Sequence, residues 1–402
     1  MQVSLISIVG GDAPGLGLLQ HASGDAHIHT GLVKCNSGTS GSVSGSESTN
    51  TASYIAVHDG NKGDLVVGIA ADMEVFHDLD PEYLIKTYLQ LIEKCATPPT
   101  IVALDANLSV SAFHAITSTI RMTTPTMKIF LDCTSDVKCT LPLLSDSLHR
   151  LNIIKPNITE LVRLVTMCIQ SNTIRTNLNN IEKILLKLRN KTDSESQSQS
   201  HIGCVYEVRD VKTLAVALYN VMTEGATETM TGDMGGGAST GADGSGVVLE
   251  LINKYSNGVK YPTYDQTQAQ DQSVVVTMGE QGVLWVGCTA VLTREMNKFN
   301  HNTTFNSVAL STYQKALSNN ALTVVNDEVS VLHLPAMPIS NSDIINTSGA
   351  GDTFCGTLIH GLTTQELSIP LLIKGLSASR GCLLMESAIP THLKELLLEL
   401  QE

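Results

Sequence analysis

The chain has 402 residues, enough for one large α/β domain or two smaller ones. Hydrophobic residues make up 42% and aromatics only 4%, so a sizeable core can be buried and it must be aliphatic. A formal net charge of −14 argues against a nucleic-acid or anionic-membrane surface, which needs a positive field, but leaves room for a small anion held by backbone N–H groups.

Taken in chain order, the opening MQVSLISIVGGD reads as a core strand that breaks at Gly10. It lacks the basic segment of a signal peptide. Residues 36–53 are dominated by Ser, Gly and Thr and read as a surface insertion. Two β-rich runs, 54–58 and 65–71, flank Asp59-Gly60-Asn61-Lys62-Gly63, a hairpin signal that makes 54–71 a candidate lid. Residues 80–95 read as a helix with Asp80 as N-cap, Pro81 at N1, and an apolar face of Leu84, Tyr88, Leu91, Ile92 and Cys95.

Short buried strands are expected at 100–105 (TIVALD), 127–132 (MKIFLD), 151–154 and 273–277 (SVVVT), with helices over 137–148, 158–169 and 211–223. Polar stretches at 191–200, 225–246, 262–272 and 297–320 read as further insertions, with too little apolar surface to offset the entropy of ordering them. The alternation of strands and helices predicts a mostly parallel sheet with helices on both faces. No apolar run approaches the ~20 residues of a membrane span. The nine cysteines include no CxxC pair and no Cys/His cluster at metal-ligand spacing. An odd number in a long chain points to a reducing, cytoplasmic setting rather than a disulfide framework.

The sharpest chemical signal is Asn346-Thr347-Ser348-Gly349-Ala350-Gly351-Asp352-Thr353-Phe354, followed by an apolar run to Leu362. Small residues allow a turn whose N–H groups converge on an anion, and the following helix adds its positive end. Phosphoryl transfer needs such a hole, because charge gathers on the transferred oxygens. Asp352 at its mouth can accept a proton from an attacking hydroxyl. An ordinary Gly-rich turn with Asp352 as a helix cap is the alternative. Two further motifs are Asn157-Ile158-Thr159-Glu160 and Thr277-Met278-Gly279-Glu280-Gln281-Gly282. The first is equally a capping box, and the second could be any tight strand–strand turn.

These three motifs, in this order, resemble the ribokinase-like (PfkB) carbohydrate kinases. The resemblance implies a single three-layer α/β/α domain with a mostly parallel central sheet and a small β lid. It implies Asp352 as the base, the Gly349, Ala350 and Gly351 backbone as the anion hole, and Thr277, Gly279 and Gly282 with Asn157 and Glu160 around the nucleotide. Glu160 would organise Mg²⁺ through water. ATP and Mg²⁺ are the implied cofactors, a monovalent cation a further one the family allows. The implied partner is a small sugar or nucleoside, with no nucleic acid or membrane, and a homodimer through the lid is an option. Asn346 stands where the family usually has Asp.

The run from Leu131 to Lys138, Lys155-Pro156-Asn157, and the segments 51–57, 63–65 and 71–73 are similar to the pseudouridine kinase branch, with Cys133 in place of the usual Pro. On that likeness Tyr54, Asp132 and Lys138 are candidate substrate residues. Another sugar kinase, such as a ribokinase, and a non-catalytic nucleotide-binding protein are the other readings. A dinucleotide-dependent oxidoreductase fails for want of a strand–GxGxxG–helix unit. The opening strand resembles the family's second strand. Its first strand, acidic sugar-binding residue and Gly-Gly element are not found, so a fragment, an incomplete gene model or a degenerate enzyme is expected.

Overall fold

The structure, a computed structural model, describes residues 3–24, 28–36, 50–58, 65–95, 97–174, 177–195, 207–228, 245–255, 272–301 and 321–386. The chain opens with β1 (Val3–Gly10), α1 (Ala13–Gly24) and β2 (Ile28–Asn36), and β1 and β2 pair in parallel as a small sheet of their own. Next, β3 (Ser53–His58) and β4 (Leu65–Ala71) pair antiparallel, with Tyr54 opposite Ala70. Their connection, 59–64, falls outside the described residues.

The helix α2 (Pro81–Lys94) begins where the sequence places it, because Asp80 accepts the Tyr83 N–H at 2.8 Å and Pro81 has no N–H to satisfy. Its most buried residues include Ile85 and Leu89 as well as Leu84 and Tyr88, while Leu91 and Ile92 are half-buried. The helix lies between two cores, so its buried stripe is wider than one apolar face requires.

There follow β5 (Ile101–Asp105), α3 (Val110–Thr123), β6 (Lys128–Asp132), α4 (Leu141–Leu144), β7 (Ile153–Lys155), α5 (Ile158–Gln170), α6 (Leu178–Glu195), α7 (Val208–Glu228) and α8 (Ser245–Tyr255). The chain continues through β8 (Ser273–Thr277), β9 (Val283–Cys288), α9 (Thr289–His301), β10 (Leu322–Val324), β11 (Val329–Leu334), α10 (Ala350–Leu362) and α11 (Ile369–Leu383). Among the described residues the main sheet has seven strands in the order β10-β11-β9-β8-β7-β6-β5. β5 to β8 run parallel, and β9, β11 and β10 continue the sheet antiparallel.

Strand periodicity sorts the core onto two faces. Ile129, Leu131, Ile154, Val274, Val276, Leu284 and Val286 pack with α3, α5 and α7. Their neighbours Phe130, Ile153, Val275, Val283 and Trp285 pack on the other face with α9, α10 and α11. Each large side chain so buried contributes about 1.5–3 kcal/mol. Trp285 also needs a polar partner, and its Nε1 donates to Ser273 Oγ at 3.0 Å. A third cluster, Ile8, Val75, Leu79, Leu84 and Ala112, joins the β1–β2 unit to α2 and α3.

The structure corrects several expectations. No long helix covers 137–148. A 3-10 turn, Lys138–Thr140, leads into the four-residue α4, which ends where Asp146 takes a left-handed φ of 49°. The strand expected at 151–154 starts later, because the Leu151 N–H bonds back to Leu148 O in a 3-10 turn. Helices claim the edges of the polar stretches: 191–195 end α6, 225–228 end α7, residues 245 and 246 begin α8, and 297–301 end α9. Most of the interiors of 36–53, 191–200, 225–246, 262–272 and 297–320 fall outside the described residues. Among the described residues no helix is long and apolar enough to cross a membrane.

Candidate active site

The parallel strands β5, β6, β7 and β8 end side by side at Asp105, Asp132, Lys155 and Thr277. In parallel α/β sheets ligands bind outside such carboxyl ends. The register puts Asp105 opposite Asp132, and Asp132 opposite Lys155, so three charged residues stand in one row.

The Gly-rich turn opens α10. Gly349 is its N-cap with φ 82°, a left-handed conformation that glycine adopts without a Cβ clash. The Thr353 N–H closes the first turn onto Gly349 O at 2.8 Å. The amides of Ala350, Gly351 and Asp352 then have no acceptor within the helix. Nothing lies within 4 Å of the place a Cβ on Gly351 would occupy, so the turn faces open space there. Asp352 is exposed in this first turn.

Side chains lock the turn. Asn346 Oδ1 accepts the Ser348 N–H at 2.9 Å, and its Nδ2 donates to Glu386 O at 3.1 Å. The second bond needs an amide donor that an aspartate lacks. Ser379 Oγ of α11 donates to Ala350 O at 2.9 Å. The two helices meet closely because residue 375 is glycine: a Cβ there would come within 2.8 Å of the Phe354 ring.

Asn157 and Glu160 form a reciprocal capping box at the start of α5. Asn157 Oδ1 accepts the Glu160 N–H at 2.9 Å, and Glu160 Oε2 accepts the Asn157 N–H at 2.7 Å. Glu160 Oε1 takes no hydrogen bond among the described residues. Burial raises the Glu160 carboxyl above its ordinary range, against the pull of the Asn157 N–H and the nearby Lys155 charge. The same segment touches the third motif, because the Thr277 N–H donates to Pro156 O at 3.0 Å and Asn157 bridges to Thr277. Gly279 and Gly282 in the turn beyond have φ of 57° and 90°, and a Cβ on Gly282 would collide with the Leu334 carbonyl. At Gly282 both conformation and contact require glycine, and at Gly279 the conformation alone favours it.

The structure thus brings Asn157, Glu160 and Thr277 into one contact network. The three candidate substrate residues sit differently. Asp132 accepts Cys355 Sγ at 3.0 Å and pairs with Lys155 Nζ at 3.3 Å. Lys138 Nζ donates to Asn107 Oδ1, and Asn107 in turn donates to Asp105 Oδ2 at 2.7 Å. Tyr54 is 61% exposed on β3, and its hydroxyl makes no hydrogen bond among the described residues.

In the sequence Lys155 stands out only within the Lys155-Pro156-Asn157 run, without a role, and Cys355 is not singled out. A lysine ending the apolar triplet Ile153-Ile154-Lys155 was the available signal, since a buried ammonium demands a partner. Nothing in the sequence pointed to Cys355. No cluster of three or more His, Cys, Asp or Glu able to hold a metal occurs among the described residues. A cavity of about 550 Å³ between α6, α7 and the β10–β11 edge shares no residue with these motifs.

No protein-family model matches the sequence, and no curated protein matches it. Solved structures do. An adenosine kinase from Schistosoma mansoni in complex with 2-fluoroadenosine superposes with a TM-score of 0.54 at 9% identity, over 96% of this chain and 74% of that one. A ribokinase from Cryptococcus neoformans var. grubii serotype A in complex with ADP gives 0.49 at 13% identity, over 98% and 82%. A carbohydrate kinase from Agrobacterium tumefaciens gives 0.49 at 13% identity, over 100% and 81%. At such identities the likeness concerns the fold, which is ribokinase-like: three α/β/α layers around the central sheet.

Proposed function

We propose that this ribokinase-like chain is an ATP-dependent phosphotransferase acting on a sugar or nucleoside hydroxyl. The observation that carries the reading is the turn at the start of α10: a left-handed Gly349, free first-turn amides, open space before Gly351, and an exposed Asp352 beside them. Amides so arranged suit the oxygens of a transferred phosphoryl group, and a carboxylate next to them suits the proton of the attacking hydroxyl. The kinases that share the fold support the choice of reaction.

In the proposed step the acceptor hydroxyl gives its proton to Asp352 and its oxygen bonds to the γ-phosphorus of ATP. The bond to the bridging oxygen breaks and ADP leaves. The amides of Gly349, Ala350 and Gly351 hold the equatorial oxygens meanwhile. Thr277, Gly279 and Gly282 lie along the nucleotide, with Asn157 and Glu160 near its phosphates. Glu160 would hold Mg²⁺ through water, because one of its oxygens takes no hydrogen bond among the described residues. When bound, the ion would offset phosphate charge.

The acceptor we favour is pseudouridine, giving pseudouridine 5′-phosphate. Asp132, the Lys155-Pro156-Asn157 run and the β3–β4 pair support it, being the segments that resemble that branch. The test is ADP release with pseudouridine, other nucleosides and free sugars, for wild type and Asp352→Asn. Wild type should turn over one acceptor class. Asp352→Asn should lower kcat by about 10²–10⁴ with ATP affinity nearly unchanged. Equal turnover by the two proteins would remove Asp352 from the mechanism. Phosphorylation of free sugars but not pseudouridine would keep the kinase and replace the acceptor.

A further inference from the structure

One carboxylate, Asp132, joins the helix of the Gly-rich turn to the sheet. It ends β6, and its two oxygens go to different places. Oδ1 faces Lys155 Nζ at 3.3 Å, on the last residue of β7, and Oδ2 accepts Cys355 Sγ at 3.0 Å. Cys355 lies three residues beyond Asp352, one helical turn along α10. The three groups therefore form a chain from the carboxyl end of the sheet to the second turn of α10, one turn beyond Asp352.

The physical state of each group fits this arrangement. Burial pushes the Cys355 thiol well above its ordinary value, so it is a protonated donor at neutral pH. Lys155 is 6% exposed. Burial alone would pull its ammonium down, but the carboxyl groups of Asp132 and Glu160 beside it push the other way and keep it charged. A buried ammonium needs a nearby carboxylate, and the two neighbours that qualify are Asp132 and Glu160. With one partner on each oxygen, the carboxylate is fixed in its orientation between β7 and α10.

We infer that Asp132, with Lys155 and Cys355, is a positioning device that sets the height of the Gly349–Asp352 turn against the carboxyl end of the sheet. The inference rests on the phosphotransferase reading for its kinetic consequence. Catalysis by positioning is sensitive to sub-ångström displacement, so loosening this tie should lower turnover more than nucleotide binding.

The experiment compares Cys355→Ser, which keeps a donor, with Cys355→Ala, which removes it, and with Asp132→Asn. Because Asp132→Asn leaves Lys155 charged and buried, the double variant Asp132→Asn/Lys155→Met guards against loss of folding. Cys355→Ala should lower kcat about 10-fold with KM for ATP within about twofold, and Cys355→Ser should restore most of it. Amide hydrogen exchange across 346–356, which needs no acceptor, should be about 10-fold faster in Cys355→Ala and in the double variant than in wild type or Cys355→Ser. Equal exchange and equal kcat in Cys355→Ala and Cys355→Ser would overturn the inference. If Asp352→Asn is inactive while Cys355→Ala and Asp132→Asn turn over normally, the positioning role falls and the kinase reading stands. If Asp352→Asn is fully active, the kinase reading falls, and exchange alone decides whether the tie exists.

Discussion

Thr51 is bound twice by Asp12 across 39 residues of chain: its N–H donates to Asp12 Oδ2 at 2.9 Å, and its hydroxyl donates to Oδ1. The same hydroxyl accepts the Gly10 N–H at 3.0 Å, and Asp12 Oδ1 also takes the Gly15 N–H at 3.0 Å. The end of β1, the start of α1 and the chain entering β3 are thus fastened at one point. Gly15 fits because a Cβ there would strike Gly10 O.

Thr51→Val keeps the shape and removes the hydroxyl. The buried Gly10 N–H then loses its acceptor, which should cost about 1–3 kcal/mol. Urea unfolding measures it. A midpoint equal to wild type would show that water replaces the hydroxyl.

Gly349 and Gly351 should behave differently although both belong to one motif. Gly349 has φ 82°, so Gly349→Ala should cost about 1 kcal/mol of stability through backbone strain. Gly351 lies in the helix with no neighbour within 4 Å of a Cβ, so Gly351→Ala should fold normally. Its added methyl projects into the space assigned to phosphate and should raise KM for ATP or lower kcat. Normal kinetics with normal stability in Gly351→Ala would place the phosphate elsewhere.

Glu160 separates capping from chemistry. Glu160→Gln keeps an oxygen for the Asn157 N–H and removes the charge, so stability should change little. Activity should fall and the Mg²⁺ concentration for half-maximal rate should rise. Glu160→Ala should lose the cap as well, about 1 kcal/mol. If Glu160→Gln kept wild-type kinetics at limiting Mg²⁺, Glu160 would be a capping residue alone.

Acid should weaken the fold through His149 before most carboxylates titrate. Burial, helped by the Arg150 charge, pushes its imidazole down to about 4, from 6.5 in the unfolded chain. Between these values the unfolded state binds the proton and the folded state does not. The His149 contribution is therefore intact above pH 6.5 and shrinks as pH falls towards about 4. At pH 5 the loss should be about 1–2 kcal/mol. Urea midpoints at pH 7.5 and 5.0 for wild type and His149→Gln test this, with the variant losing less. Identical losses would show that His149 is protonated in the folded protein too.

By itself the sequence determined the parts whose cause is local. Asp80 and Pro81 start α2 because an N-cap acceptor and a missing N–H are properties of adjacent residues. Asn157 and Glu160 cap α5 for the same reason. Near-continuous apolar runs in MKIFLD and SVVVT reported strands covered on both faces, and glycine at 279 and 282 marked a turn needing positive φ. Only the tertiary structure decided what depends on distant chain meeting. Residues 137–148 are apolar enough for a helix, yet the chain turns at Asp146 to bring β7 beside β6. Asp132 is fixed in its orientation only once β7 and α10 deliver Lys155 and Cys355 to its two oxygens. A carboxylate's role follows from which groups reach it, and those groups lie 23 and 223 residues away in the chain.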